Sequence, residues 1–175
     1  LKYLEKAIDL KKDYAKAYET IGVIYQNAAD GGESKEYTKS LYYYEQALNY
    51  DRRNYKVMAR LSSVYNNLSK YDLAKKYAKD CIKVKRNYPD AYYELGIAEK
   101  GLGNRIAAME AFKNAKKSSK WRKIAQYEID LIKHLKKNNL FYASLDVFQN
   151  EPLSKKSLLW RLPNVNITPV SYTHL

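Results

Sequence analysis

Residues 55–88 read YKVMARLSSVYNNLSKYDLAKKYAKDCIKVKRNY, and this stretch decides the fold. Met58, Leu61, Ser62 and Tyr65 recur at spacings of 3, 4 and 7, which places them on one face of a helix. Ser69-Lys70 interrupts the pattern, and Ala74, Ala78 and Cys81 then resume it at spacings of 4 and 3. Two short amphipathic helices joined by a tight connection form a hairpin. The same hairpin recurs along the chain. Aligning Leu4, Tyr44, Ala78 and Phe112 brings Ala7, Ala47, Cys81 and Ala115 into register, with steps of 40, 34 and 34 along the chain. Gly22, Ser62 and Gly96 are also 40 and 34 apart, as are Ile21, Leu61 and Leu95. Units of this period bury their apolar faces against one another, so the expected architecture is all-α, a stack of antiparallel helix hairpins.

The rest of the chain is read outward from that unit. Residues 1–14 fit the second helix of a repeat that lacks its first helix, as if the chain opened in mid-unit. Residues 15–54 form a repeat whose helices fall at 15–29 and 35–50. From Tyr18 to Ser40 the step is 22, against 16 from Met58 to Ala74 and from Tyr92 to Ala108. Six residues are therefore inserted between Asn27 and Glu36, around the turn residues Asp30-Gly31-Gly32, and a surface loop is the expectation. Residues 55–88 are the next repeat, with helices at 55–67 and 71–84. Residues 89–119 are the last, with helices at 89–102 and 105–117 and Pro89 at a favourable first helical position. Residues 120–138 predict a capping helix with an apolar stripe of Ile124, Tyr127, Leu131, Ile132 and Leu135.

Beyond residue 138 the helical period fades. Residues 140–148 admit one short helix. The segment 139–175 as a whole, with Pro152, Pro163 and Pro169, is expected to be a poorly ordered tail. Its last six residues, 170–175, read as the translation of a transposon end used in sequencing libraries, that is, adapter read-through.

Composition narrows the function. The chain carries 32 Lys/Arg against 19 Asp/Glu, a net charge of +13. Such a surface attracts anionic partners. Lys, Asn, Tyr and Ile also share AT-rich codons, so genome composition is an equal account of the excess. The single cysteine, Cys81, excludes an internal disulfide framework and a cysteine-based zinc site, and it occupies a slot that holds alanine in the other units. No stretch approaches the roughly 18 apolar residues of a membrane span. No cofactor is expected. There is no HExxH or P-loop, and Gly101-Leu102-Gly103 lies in a helix–helix turn rather than after a strand. His134 has no nucleophile pattern beside it. A non-catalytic role follows; the compartment stays open, with the cytoplasm slightly favoured.

These residues resemble the tetratricopeptide repeat. That pattern places a large residue at position 4, Leu at 7, a small residue at 8, Tyr at 11, Ala at 20, an aromatic at 24 and Ala at 27. Residues from 89 onward supply Tyr92, Leu95, Gly96, Ala108, Phe112 and Ala115. Residues 55–88 supply Met58, Leu61, Ser62, Tyr65, Ala74, Ala78 and Cys81. Residues 15–54 supply Tyr18, Ile21, Gly22, Tyr25, Tyr44 and Ala47, with Ser40 where Ala is usual. Glu99 departs from the Tyr, and Lys12, Arg52 and Arg86 stand where Pro is common.

The resemblance covers residues 1–137 and implies a right-handed superhelix whose first helices line a concave groove. It places Lys56, Ala59, Arg60, Ser63, Asn66 and Asn67 on that groove in the middle unit. Lys16, Glu19, Thr20, Val23, Gln26 and Asn27 flank it on one side. Asp90, Tyr93, Glu94, Ile97 and Lys100 flank it on the other. The expected partner is another protein, presenting a peptide or extended segment, acidic where it meets Lys56 and Arg60. The Asn and Gln side chains would bond its backbone, and Val23, Tyr93 and Ile97 would meet its side chains. Lys56 and Arg60 also match two positions of the clamp that holds acidic chaperone C-termini, but Thr20 stands where that clamp has Asn. The alternative partner is nucleic acid, RNA in particular. It would be met by Lys75, Lys76, Lys79, Lys83, Lys85 and Arg86 and by Lys113, Lys116, Lys117, Lys120, Arg122 and Lys123 on the outer surface.

Overall fold

The computed structural model describes residues 1–136 and the backbone of 143–144 and 165–166. The described residues form eight α-helices: α1 Lys2–Leu10, α2 Ala15–Asp30, α3 Tyr37–Tyr50, α4 Tyr55–Asn67, α5 Tyr71–Val84, α6 Pro89–Gly101, α7 Arg105–Ala115 and α8 Arg122–Lys136. Helices α2 and α3, α4 and α5, and α6 and α7 pack as hairpins, and each hairpin leans on the next. The fold is the all-α solenoid that the period implies.

Each hairpin closes on one size-matched pair. A Cβ added to Gly22 would stand 2.6 Å from the Tyr44 ring, and one added to Gly96 would stand 2.5 Å from the Phe112 ring. Only glycine lets those rings lie flat on the opposing helix. In the middle unit the corresponding pair is Ser62 and Ala78, both fully buried. A larger residue on one helix is matched there by a smaller one on the other, which holds the interior at close packing. The Ser62 hydroxyl donates to the Ala74 carbonyl at 2.8 Å, so its burial leaves no unpaired donor.

The insertion lengthens α2, which runs to Asp30, and adds a short 3₁₀ turn at Ser34–Glu36. Gly32 takes φ +120°, a conformation that suits glycine. The segment is pinned to the next unit. Tyr37 donates its hydroxyl hydrogen to Asp30 Oδ1 at 2.6 Å, and Asn67 Nδ2 donates to the Tyr37 hydroxyl at 2.9 Å and to Asp30 at 3.1 Å. Burial, with the Asp30 carboxylate beside it, pushes the Tyr37 hydroxyl up to about 12.

Helix α8 corrects one expectation. Ile132 of the expected stripe is buried, but together with Ala125, Glu128 and Ile129, whereas Ile124 and Tyr127 are 39% and 60% exposed. Leu135 lies outside the described side chains. The predicted stripe was the more apolar of two faces with helical spacing. The face that packs is the one the repeat register selects, since Ala91, Glu94 and Ala98 on α6 lie one period before Ala125, Glu128 and Ile132. Helix α8 is thus laid down like another first helix. Asp130 occupies the place where α6 offers Gly96 to Phe112 of its hairpin partner, and Gln126 and Lys133 stand at the places of Tyr92 and Glu99.

Ala143–Ser144 is a strand, β1, so a single helix over 140–148 does not form; β1 pairs in parallel with β2, Val165–Asn166. The expectations for the remainder of 139–175, and for adapter sequence at 170–175, lie outside the described residues.

Candidate functional site: the concave wall

Helices α2, α4, α6 and α8 share one wall, and one polar contact repeats along it. Arg60 Nη1 donates to Gln26 Oε1 at 3.5 Å, Asn66 Nδ2 to Glu94 Oε2 at 2.8 Å, and Lys100 Nζ to Glu128 Oε2 at 2.7 Å. The sequence separations are 34, 28 and 28, the first longer by the six inserted residues. In every junction the twelfth residue of one repeat meets the sixth of the next. The contact follows from repetition: the same positions face each other wherever the same hairpin is stacked.

This ladder governs what the predicted groove residues present. Gln26 is 5% exposed and also accepts the Tyr44 hydroxyl hydrogen at 2.7 Å. Asn66 is buried, and its amide also donates to the Glu94 carbonyl at 2.9 Å. Lys100 is half-buried and held by Glu128. Asn67 is exposed but tied to Asp30 and Tyr37. Tyr93 is buried and stacks on Trp121 with ring centroids 4.0 Å apart, so its ring serves the junction between α6 and α8. Val23, Ser63 and Ile97 are half-buried. Lys16 is exposed and pairs with Glu19 at 2.8 Å. Lys56 is exposed and Arg60 half-buried, and neither forms an ion pair among the described residues.

Glu94 matters more than its sequence position suggested. The residue as a whole is half-buried, but protein crowds its carboxyl group. That burial pushes the carboxyl up to about 7; hydrogen bonds from Asn66 and Ser63 act against the rise, Asp90 adds to it, and Lys120 opposes it. Lys120 itself pairs with Asp90. The signal available beforehand was register: Glu94 and Glu128 stand one and two repeats beyond Arg60. On the outer surface, Lys75 is held by buried Glu99 at 3.1 Å and Lys83 by Asp80 at 2.7 Å. Lys113, Lys116, Lys117 and Lys133 rim an open depression of about 370 Å³ between α7 and α8. Among the described residues no group of three His, Cys, Asp or Glu side chains is placed to hold a metal ion, and no helix is long and apolar enough to cross a membrane.

Stacked hairpins, a regular repeat step and a continuous inner wall define a helical-repeat solenoid of the tetratricopeptide type. Solved structures similar to it are MamA (TM-score 0.68, 17% identity, 77% of this chain and 75% of that one) and the first tetratricopeptide domain of Spaghetti (RPAP3) bound to the HSP90 peptide SRMEEVD (TM-score 0.62, 19% identity, 69% and 90%). The Sgt2 tetratricopeptide domain from Aspergillus fumigatus is similar too (TM-score 0.61, 21% identity, 79% and 91%). The model of the TT21 fifth ARM repeats domain matches residues 33–133, more than half of the chain, and the chain belongs to that family.

The C-terminal part has a different likeness. Residues 122–171 match the NAD-binding domain of D-isomer-specific 2-hydroxyacid dehydrogenases. Glyoxylate/hydroxypyruvate reductase A of Enterobacter sp. (strain 638) is 37% identical over 81 residues, 46% of this chain. The chain spans about a quarter of that relative's length.

Proposed function

We propose that the solenoid is a non-catalytic adaptor that holds an extended segment of a partner protein along its concave wall, with a partner carboxylate over Lys56 and Arg60. The observation that carries this reading is the absence of a counter-ion. Among the described residues, the acidic side chains at the same wall are engaged by ladder or neighbouring contacts, whereas these two cations on α4 have no acidic partner. At four residues apart they share one helix face. A half-buried guanidinium is a strong carboxylate partner because its fork can make paired hydrogen bonds. The Spaghetti domain, of like fold, is bound to a peptide whose sequence holds three acidic residues, which supports the reading.

An array of capped eight-residue peptides of varied charge tests it. Peptides bearing a carboxylate should be retained by the natural chain and bound at least tenfold more weakly by a Lys56→Glu, Arg60→Glu variant with unchanged helical content. Equal retention by the variant would remove the concave site. Retention of RNA instead, lost with salt, would move the function to the outer lysines.

A second reading concerns the C-terminal segment. Its match to a dehydrogenase domain is accompanied by the parallel β1–β2 pair, and parallel strands require a crossover and belong to α/β sheets. The segment is then a piece of a nucleotide-binding domain. A dinucleotide crevice needs a sheet of several strands; the described residues of this segment supply two short ones, and no NADH binding is expected of those. Calorimetric titration checks this, and saturable binding would assign an enzymatic role to the chain.

A further inference from the structure

The concave wall changes its charge along its length. On α4 it presents Lys56 and Arg60 without acidic partners. One helix further, α6 presents Asp90 and Glu94, and α8 adds Glu128; Lys120 and Lys100 answer Asp90 and Glu128 through ion pairs. Glu94 has no ion pair among the described residues, and its hydrogen bonds come from the neutral side chains Asn66 and Ser63. The sixth position of successive repeats therefore runs Arg60, Glu94, Glu128. The sign reverses in a single step.

We infer that the partner segment is itself charge-patterned, with an acidic residue over Lys56 and Arg60 and a basic or hydrogen-bond-donating residue over Glu94. This rests on the concave-wall reading given above and narrows it. The step between packed helices is about 8–10 Å, and an extended chain covers about 3.3 Å per residue. The acidic and basic residues of the partner should thus lie about three residues apart. A uniformly acidic segment would set its second carboxylate against Glu94, where like charges oppose binding.

Titration makes the inference diagnostic. The groups facing Glu94 are Asn66 and Ser63 from α4, Asp90 from its own helix, and Lys120 from the connection before α8. Burial holds the carboxyl uncharged well above the usual carboxylate range, to about 7. Raising the pH from about 6 to about 8 gives Glu94 its charge while the carboxylates and amines of a peptide keep theirs. Binding of a patterned peptide should then strengthen, and binding of an acidic one should weaken.

The test uses fluorescence anisotropy with the full chain in a His134→Gln, His174→Gln background, which takes both imidazoles out of the comparison. The probes are capped, labelled eight-residue peptides: a Glu pair three residues before a Lys pair, the same in reverse order, and the same length with four Glu. At pH 8 the better patterned peptide should bind at least fivefold tighter than the four-Glu peptide, and the gap should narrow at pH 6. Glu94→Gln, similar in shape, should remove both the preference and its pH dependence. If the four-Glu peptide binds tighter at both pH values and Glu94→Gln changes nothing, the charge pattern is wrong while the concave site stands. If no peptide responds to Arg60→Glu, both are wrong.

Discussion

At the scale of single residues, the hairpins are held by volume exchanged between two positions. Gly96 lies under Phe112 and Gly22 under Tyr44, while the middle unit uses Ser62 with Ala78. Phe112→Ala should therefore cost about 3–5 kcal/mol by leaving a cavity. Adding Gly96→Ser, which copies the middle unit, should recover about 1 kcal/mol, read as a rise in urea midpoint at unchanged slope. Additive losses in the double variant would show that the two sites do not exchange volume.

Glu94 supplies a pH dependence of stability. Its folded pKa is raised above the unfolded value, so the folded state binds the extra proton. That contribution is complete below the usual carboxylate pKa near 4.5 and is lost as pH rises through about 7. Thermal melting should show natural protein losing stability relative to Glu94→Gln between about pH 5 and pH 8. Parallel melting curves would place Glu94 in water.

At the scale of elements, the sequence made the helices legible because small and large residues alternate at matched sites. The ends of α4 and α5 were readable to the residue, since turn residues and loss of period coincide there. The phase of α8 was not. Two faces of that helix have acceptable spacing, and apolar count favoured Ile124 and Tyr127 over Ala125 and Ile129. Register decided otherwise, because α6 already offered a matching surface.

The ladder was also hidden, since helical spacing tells which residues share a face but not which face a neighbour. Gln26, Asn66 and Lys100 were legible as wall residues, and their engagement with Arg60, Glu94 and Glu128 was not. The last rung gives α8 its own test. Glu128 is buried and Lys100 partly solvated, so Lys100→Met leaves a buried carboxylate without its cation, at roughly 1–2 kcal/mol once solvent screening is allowed for. Hydrogen exchange should show faster exchange in α8 with α4 unchanged, as expected of a stack whose units touch only their neighbours. Uniform loss of protection would mean one cooperative core.

At the scale of the whole molecule, a stack without a central core leaves a long inner wall, and the units that build it also fix its chemistry. The repeat period carries each wall position to the next helix, so a charge written once per unit becomes a row. Net charge of +13 describes the molecule poorly at that wall, where carboxylates on α6 and α8 follow cations on α4. Much of the excess belongs to residues 55–88, which hold nine Lys/Arg against two Asp, four of those lysines lying on α5 away from the wall.

Amide chemical-shift mapping by NMR, with a carboxylate-bearing peptide added to the isotopically labelled chain, examines the wall most directly. Shifts confined to the inward residues of α2, α4 and α6, centred on Lys56, Arg60 and Glu94, are the predicted result. Shifts centred on the lysines of α5 and on Lys113, Lys116 and Lys117, with the inner wall unchanged, would contradict it.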